Sequence, residues 1–311
     1  MNDINPNIPF DFIGDIHGHA TELKALLDQL GYTLQNGSYA HPSRKAFFVG
    51  DYIDRGPQIR ETLQIVKSMV ESNNAIAIMG NHEYNALCYH TRDHAGGHLR
   101  PHNSVHVQQH AQTIEQFKNH PAEWEGWLQW FTTLPLFYET EQFRAVHACW
   151  DDHHISYLKS ILPNNCITGD LLAASVQEDS PFYNAIEATL KGKEMNLPGE
   201  MTFKDKDGHI RKEIRIRWWE DPAACTYRNI SVHLMPDLPE TAIDHSLFKH
   251  AHFYAATDKP VFFGHYWLQG NPMLFKNNIC CLDYSVAKQG KLVAYRFDNE
   301  KELDDSKIVY V

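Results

Sequence analysis

The chain has 311 residues, 43% hydrophobic and 22% charged, with 17 glycines and 15 prolines; this mixture excludes a disordered, collagen-like or low-complexity protein and is long enough to bury a substantial core. Twenty-eight lysines and arginines against 39 aspartates and glutamates give a formal charge of −11, so there is no global basic field to hold nucleic acid or an anionic membrane. The chain contains no apolar run of the roughly eighteen residues that a membrane-spanning helix needs, and Met1-Asn2-Asp3-Ile4-Asn5-Pro6 lacks a signal peptide's basic and apolar regions. A cytoplasmic protein without a membrane partner is expected. The six cysteines, Cys88, Cys149, Cys166, Cys225, Cys280 and Cys281, form no C-x-x-C pair, so reduced thiols are expected rather than a zinc ribbon or a disulfide framework. The 20 histidines are unusual enough to raise the question of metal binding.

Phe10-Asp11-Phe12-Ile13 predicts a first strand, and Leu23, Leu26, Leu27 and Leu30 an amphipathic helix that stops at Gly31. Ala46-Phe47-Phe48-Val49 reads as the next strand, Ile59, Leu63, Val66 and Val70 as one helix face, and Ala75-Ile76-Ala77-Ile78-Met79 as a third strand. Strand and helix alternating in this way predict an α/β sheet. Residues 88–133, rich in His, Gln and Trp, read as a mainly helical insertion over the end of the sheet. Phe143-Arg144-Ala145-Val146 resumes strand character. Residues 151–259 read as a second, irregular and partly β insertion, with a turn at Lys206-Asp207-Gly208 and a charged run from Arg211 to Arg217. Val261-Phe262-Phe263, Ile279-Cys280-Cys281-Leu282 and Leu292-Val293-Ala294-Tyr295 predict the closing strands, with a turn at Lys288-Gln289-Gly290. With no repeat and no linker, a single domain over 1–311 is expected.

One pattern recurs at the strand ends. Phe12-Ile13-Gly14-Asp15, Phe48-Val49-Gly50-Asp51, Ile78-Met79-Gly80-Asn81 and Phe262-Phe263-Gly264-His265 each place two apolar residues and a glycine before a metal-capable side chain, and Val146-His147 follows a strand without the glycine. The glycine is expected to let the backbone turn sharply off the strand, and ligands of open α/β sheets bind beyond the carboxyl ends of strands. Asp15, His17, Asp51, Asn81, His147 and His265 then offer a mixed oxygen and nitrogen shell, sufficient for two ions if Asp51 bridges. A lone Gly-Asp is more often a turn, and a lone buried histidine is more often a core residue. Joint occurrence is what favours a site: the separations of 36 and 30 residues between Asp15, Asp51 and Asn81 each match about one β-α-β unit.

The segments Gly14-Asp15-Ile16-His17-Gly18, Gly50-Asp51-Tyr52-Ile53-Asp54-Arg55-Gly56 and Gly80-Asn81-His82-Glu83 resemble the successive G-D-x-H-G, G-D-x-x-D-R-G and G-N-H-E signatures of the calcineurin-like metallophosphoesterases, phosphoprotein-phosphatase branch. Val146-His147-Ala148-Cys149-Trp150, Arg217-Trp218-Trp219-Glu220-Asp221-Pro222 and Gly264-His265-Tyr266-Trp267 are similar to its bacterial members. The resemblance implies a layered α/β sandwich with mixed sheets, the two insertions lying near its active-site end. It also implies two divalent ions, manganese first and iron or zinc as alternatives. Asp15, His17 and Asp51 would hold one metal, and Asp51, Asn81, His147 and His265 the second. His82 would be the general acid paired with Asp54, Arg55 would bind phosphate oxygens beside Asn81, and either Arg228 or Arg217 would be a second phosphate clamp.

The same residues make physical sense without the family. A dianionic phosphate ester repels nucleophiles, so hydrolysis needs neutralised charge and a hydroxide, which two cations supply by lowering the pKa of a bridging water from 15.7 toward about 7. A carboxylate-paired histidine can protonate the leaving oxygen, and an arginine fork can grip the phosphoryl group. The expected function is a phosphomonoesterase acting by direct attack of that hydroxide, with phosphoserine or phosphothreonine in proteins as first substrate and small phosphate esters also cleaved. Two alternatives stand: a diadenosine tetraphosphate hydrolase, and a metal-dependent binding protein without turnover, against which His82, Asp54 and Arg55 argue. Three further features are read as bland. The histidines at 90, 94, 98, 102, 106 and 110 are expected in a solvated loop and helix, Trp124, Trp127 and Trp130 in packing, and Arg211, Lys212, Arg215 and Arg217 on an exposed strand face or near an anionic substrate.

Overall fold

Two sheets packed face to face organise the computed structural model, which describes residues 8–204, 210–233, 235, 237–244 and 253–311. The amino-terminal part runs β1 (Phe10–Ile13), α1 (Ala20–Leu30), β2 (Thr33–Gln35), β3 (Ser38–Ala40), β4 (Lys45–Phe48), α2 (Ile59–Glu71), β5 (Ala75–Ala77), α3 (Asn81–His90), α4 (Ser104–Phe117) and α5 (Pro121–Phe131). The middle contains β6 (Phe137–Glu139), β7 (Arg144–Val146), α6 (Asp152–Ile161), α7 (Asp170–Ser175), α8 (Pro181–Lys191), β8 (Glu194–Asn196), β9 (Phe203–Lys204), β10 (Ile210–Arg211), β11 (Glu213–Arg215) and α9 (Tyr227–Ile230). The chain closes with β12 (Val261–Phe263), β13 (Ile279–Cys281), β14 (Asp283–Tyr284), β15 (Lys291–Phe297) and β16 (Ile308–Tyr310).

The first sheet has the order β14-β15-β1-β4-β5, with β16 on β15; the second is β13-β12-β7-β6. In the first, β1, β4 and β5 are parallel and β15 is antiparallel to β1; in the second, β7, β12 and β13 are parallel and β6 is antiparallel to β7. The period of two along each strand assigns its faces. Phe10, Phe12, Phe47, Phe143, Phe262 and Phe297 point between the sheets, where Phe12 stacks on Phe262 at 3.7 Å. Ile13, Ala46, Phe48 and Phe263 point the other way, into the core shared with the helices. Both faces are covered, which is why these strands read as continuous apolar runs.

Helix α1 buries Leu23, Leu26, Leu27 and Leu30 and ends at Gly31, whose φ of +90° belongs to a left-handed cap. There the Gly31 N–H donates to Asp28 O and the Tyr32 N–H to Leu27 O, both at 2.9 Å, which is a Schellman closure. Helix α2 buries Ile59, Leu63 and Val66 as expected, with Met69 completing the face and Val70 only partly covered. Residues 104–131 form α4 and α5, and Trp124, Trp127 and Trp130 are buried. The stretch from Asp151 departs from its irregular, partly β expectation, since α6, α7 and α8 make it largely helical as far as Lys191. Two short ribbons, β8 with β11 and β9 with β10, follow; the turn expected at Lys206-Asp207-Gly208 lies outside the described residues. Among the described residues no helix is long and apolar enough to cross a membrane. The six cysteines are free.

Candidate active site

The loops leaving β1, β4 and β5 in one sheet and β7 and β12 in the other meet at the carboxyl ends of their strands, and backbone hydrogen bonds sew them together. The Ile16 and His17 N–H groups donate to Asp51 O at 3.1 and 2.9 Å, and the Gly264 N–H donates to His147 O at 2.9 Å. Of the four glycines preceding the candidate ligands, only Gly50 has a positive φ, +107°. The others are required by crowding rather than by the sharp turn expected. A Cβ on Gly14 would lie 2.1 Å from Leu282 O, one on Gly80 2.2 Å from Asp51 Oδ1, and one on Gly264 1.8 Å from Asp15 Oδ1. Each glycine makes room for a carboxylate or backbone on a neighbouring loop. His17, Asp51, Asp54, Arg55, His265 and Trp267 adopt φ between 46° and 73°, a left-handed conformation that costs side-chain-bearing residues roughly 1–3 kcal/mol each and collects at functional sites.

Asp15, His17, Asp51, Asn81, His147 and His265 converge and are buried. Asp15, Asp51 and His147 form one group of donor atoms, and His17, Asp51 and His82 another, within each of which the atoms lie no more than 4.8 Å apart. Asp51 belongs to both. His17 Nδ1 is 3.0 Å from Ile53 O and His147 Nδ1 2.8 Å from Val49 O, contacts that assign Nδ1–H as the donor and leave each Nε2 as an acceptor aimed inward. Asn81 Oδ1 lies 3.0 Å from His147 Nε2 and 2.8 Å from His265 Nδ1. Asp15 Oδ1, His17 Nε2 and His265 Nε2 are buried and have no hydrogen-bond partner.

Electrostatics adds to the same picture. Burial, with Asp283 and Asp51 nearby, pushes the Asp15 carboxyl well above its usual range. Burial would raise Asp51 too, but the surrounding His147, His82 and His17 reverse it and hold Asp51 well below that range. Burial and the adjacent His82 lower His17 to about 3, keeping it neutral as a ligand must be. Buried acceptors without donors and carboxylates without a lysine or arginine are expensive to fold, by about several kcal/mol per uncompensated charge, unless a cation sits among them. The donor set fits divalent metal.

Beside this cluster His82 Nδ1 is 2.5 Å from Asp54 Oδ2, both side chains buried, while His82 Nε2 faces Asp51 at 3.9 Å. Burial opposes charge on His82, yet Asp51 and the hydrogen-bonded Asp54 outweigh it and raise the imidazole. Burial likewise pushes Asp54 up, and the hydrogen bonds from His110 and His82 more than reverse it. Glu83, present in the recognised motif but given no role, is a brace. Its carboxylate accepts the N–H groups of Asp51 at 2.9 Å, Tyr52 at 2.8 Å and Gly80 at 3.0 Å, fixing the Asp51 loop against the start of α3. Burial and nearby Asp51 push Glu83 up to about 7.

The ligand cluster opens into a cleft of about 250 Å³ lined by Arg55, Arg100, Lys191, Arg215, Tyr89 and Trp267, together with Asp54, Asn81, His82 and His265. Neither proposed second arginine lines it. Arg228 is engaged by Glu240 and donates through Nε to Leu238 O at 2.7 Å, and Arg217 has a buried Nε. The cleft arginine from this region is Arg215, at the end of β11, which the sequence placed only within a basic cluster. Arg215 is the last residue of β11, whereas Arg217 lies beyond the strand, where the period of two no longer holds it on the face of Arg215. Arg55 lies over the Trp267 ring at 4.7 Å, and the Trp267 N–H donates to Asp283 Oδ2 at 2.6 Å. Arg100 is held by neutral amides, Nη1 to Asn85 Oδ1 and Nη2 to Gln109 Oε1, each at 2.8 Å. The histidine run is also not uniformly solvated. His110 is buried with Nδ1 2.7 Å from Asp54 Oδ1, and His106 lines the cleft. Spacing alone carried no sign of the His110 contact, because its partner Asp54 lies 56 residues away.

Comparison with known proteins adds the following. A bis(5'-nucleosyl)-tetraphosphatase PrpE [asymmetrical] of Halalkalibacterium halodurans is 49% identical over 74 residues, 24% of this chain and 30% of that relative. A symmetrical bis(5'-nucleosyl)-tetraphosphatase of a Marinomonas species is 32% identical over 146 residues, 45% of each chain. The chain thus spans less than half the length of these curated relatives. A cold-active protein-tyrosine phosphatase of a psychrophilic Shewanella species superposes with a TM-score of 0.49 at 18% identity, covering 96% of this chain and 82% of the other. The sequence profile of the calcineurin-like phosphoesterases matches residues 8–229, so the chain belongs to the calcineurin-like phosphoesterase family.

Proposed function

We propose that this metal-dependent phosphoesterase hydrolyses a small oligophosphate ester of the dinucleoside tetraphosphate type, in preference to phosphoserine or phosphothreonine in proteins. The observation that carries the reading is the cationic cleft. Arg55 and Arg215 suffice for the phosphoryl group being cleaved, while Arg100 adds positive charge in the same cavity that a monoester would leave unused, and Lys191, ion-paired with Glu187, lines it too. Arg100 is engaged by amides and not by a carboxylate, so its charge remains available to an anion. Trp267 lines the same cleft with the Arg55 guanidinium 4.7 Å and the Lys288 ammonium 4.4 Å from its ring centroid, so two cations already sit against the indole. The names of the PrpE and symmetrical relatives agree with this substrate class.

Asp15, His17 and Asp51 would hold one metal, and Asp51, Asn81, His147 and His265 the second. When bound, two divalent cations supply charge neutralisation and an acidified water. The protein's own groups do the rest. Arg55 and Arg215 bind and orient phosphoryl oxygens. His82, its Nδ1–H donating to Asp54, carries a proton on Nε2 for the departing oxygen, worth typically about 10²–10⁴-fold. His82 also belongs to one metal-capable group, but Asp51 and Asp54 raise its imidazole against the effect of burial, which suits a proton donor better than a neutral ligand. The Asp54–His82 contact also argues against a binding protein without turnover, since holding metal requires neither residue. Manganese, iron and zinc all suit a shell of carboxylates, imidazoles and an amide oxygen.

The test is a side-by-side assay of manganese-loaded protein on diadenosine tetraphosphate, a phosphoserine peptide and a phosphotyrosine peptide. The proposal expects kcat/KM for the dinucleotide to exceed both peptides by at least about tenfold, the value of one well-placed additional charge contact. Equal or higher kcat/KM on a phosphopeptide would return the cleft to a protein phosphatase.

A further inference from the structure

Asp54 makes more hydrogen bonds than a partner of one histidine needs. Its Oδ2 faces His82 Nδ1 at 2.5 Å, while its Oδ1 meets His110 Nδ1 at 2.7 Å and accepts the Thr113 hydroxyl at 2.5 Å. Thr113 Oγ1 in turn accepts the Asp54 backbone N–H at 3.1 Å, so one side chain grips both the carboxylate and the main chain of the same residue. His110 and Thr113 lie one turn apart on α4, 5% and 0% exposed. His110 is itself held from behind: its Nε2 lies 3.2 Å from His90 Nε2, and its ring packs 5.7 Å from Trp124. With Nδ1–H donated to Asp54, His110 Nε2 is the acceptor of that contact.

The backbone alone does not aim this carboxylate. Asp54 sits at φ +67° in the turn between β4 and α2, where the side chain is joined to a strained main chain by two rotatable bonds. Two donors on Oδ1 fix the carboxylate plane, and with it the line from Oδ2 to His82. We propose that His110 and Thr113 are positioning residues that hold Asp54 and thereby aim the Nε2 proton of His82 at the leaving oxygen. The helix α4 of the first insertion is then part of the machinery for proton delivery and not only a wall of the cleft. The inference rests on the phosphoesterase reading above and on His82 as its acid. A displacement of about 1 Å at a reacting group is worth on the order of 10²-fold in rate, and it matters only where the leaving oxygen needs the proton.

Thr113→Val, which keeps the buried volume, and His110→Ala are compared with His110→Asn, whose side-chain amide can still donate to Asp54 Oδ1. Turnover is measured on phenyl phosphate, a poor leaving group, and on 2,4-dinitrophenyl phosphate, whose leaving group departs without a proton. Thr113→Val and His110→Ala are expected to lower kcat on the phenyl ester at least about tenfold more than on the dinitrophenyl ester, with KM little changed and His110→Asn recovering most of the difference. In metal-free protein labelled with ¹⁵N-histidine, the low-field proton of the His82–Asp54 hydrogen bond should shift or broaden in Thr113→Val and His110→Ala and return in His110→Asn. Equal losses on the two esters, no loss on either, or an unchanged low-field proton would overturn the assignment. Should wild-type protein cleave neither aryl ester nor diadenosine tetraphosphate, the phosphoesterase reading fails, and the proton resonance alone decides whether α4 positions His82.

Discussion

Gly264→Ala is the sharpest perturbation of the account, because it adds one methyl group and no charge. The new Cβ would sit 1.8 Å from Asp15 Oδ1, 2.9 Å from its Cγ and 3.3 Å from its Oδ2, where real Cβ contacts do not fall below 3.0 Å. Asp15 or the β12 loop must therefore move by more than an ångström. The loop is tethered by the His265 N–H to Asp15 Oδ2 contact at 2.9 Å and by the Gly264 N–H to His147 O contact, also 2.9 Å. Whichever side yields, the spacing between Asp15 and His265 changes, and these are candidate ligands of different metals. Because Gly264 lacks the positive φ that would strain alanine, any backbone penalty is small and the effect is steric. The expected result is a folded protein, with the melting temperature lowered by only a few degrees, whose metal content falls to one ion or none per chain and whose turnover of p-nitrophenyl phosphate drops by about 10²-fold or more. Metal analysis and kinetics on the same preparation check this. Full metal occupancy with turnover within about threefold of wild type would refute the claim that Asp15 and His265 share one site.

Other variants probe the remaining roles. His82→Ala should retain its metal while losing about 10²–10⁴-fold in kcat on a poor leaving group; loss of one metal equivalent would instead make His82 a ligand. Arg215→Ala should raise KM or lower kcat/KM by at least about tenfold, as expected for a lost charge-assisted contact, while Arg228→Ala stays within about twofold, and the reverse order would restore the clamp to the residue following Asp221-Pro222. Phe12→Ala removes a fully buried ring stacked between the sheets and should cost about 3–5 kcal/mol in urea unfolding, whereas a loss below about 1 kcal/mol would mean that the two sheets do not share the packed core described.

The legible part of the fold was the part governed by local periodicity. Leu23, Leu26, Leu27 and Leu30 spell a helix face, Gly31 its stop, and Phe10 to Ile13 a strand covered on both sides; each of these follows from contacts within a few residues or from burial on a sheet face. The convergence of the candidate ligands was legible for a related reason, since every strand-end motif is short and its order along the chain repeats the β-α-β unit. The strand-end loops are also where sequence reasoning explained the glycines incompletely. Gly14, Gly80 and Gly264 look like turn glycines, yet their necessity comes from carboxylates and backbone on loops distant in sequence, as the Gly264 contact with Asp15 makes plain.

What escaped the sequence is long-range and not periodic. His110 and Thr113 reach Asp54 from an insertion whose own pattern, six histidines at intervals of four, suggested only a solvated face. Glu83 was visible in a motif but its role appears only when three backbone N–H groups from two loops are seen to converge on it. That Arg215 lines the cleft while Arg217 and Arg228 do not depends on the path of the chain after β11, which no spacing encodes. The helical content of residues 152–191 was missed for want of a continuous pattern: α6 buries only Ile155 and Leu158, α7 is six residues long, and α8, whose Phe182, Ala185, Ile186 and Leu190 do share a buried face, packs against both.

Anomalous diffraction from crystals soaked in manganese tests the central claim most directly. The account predicts two ions per chain, one among Asp15, His17 and Asp51 and one among Asp51, Asn81, His147 and His265, with both lost in Asp51→Asn. A single ion elsewhere in the molecule, or a wild-type cluster that stays empty while the protein still hydrolyses phosphate esters, would contradict it.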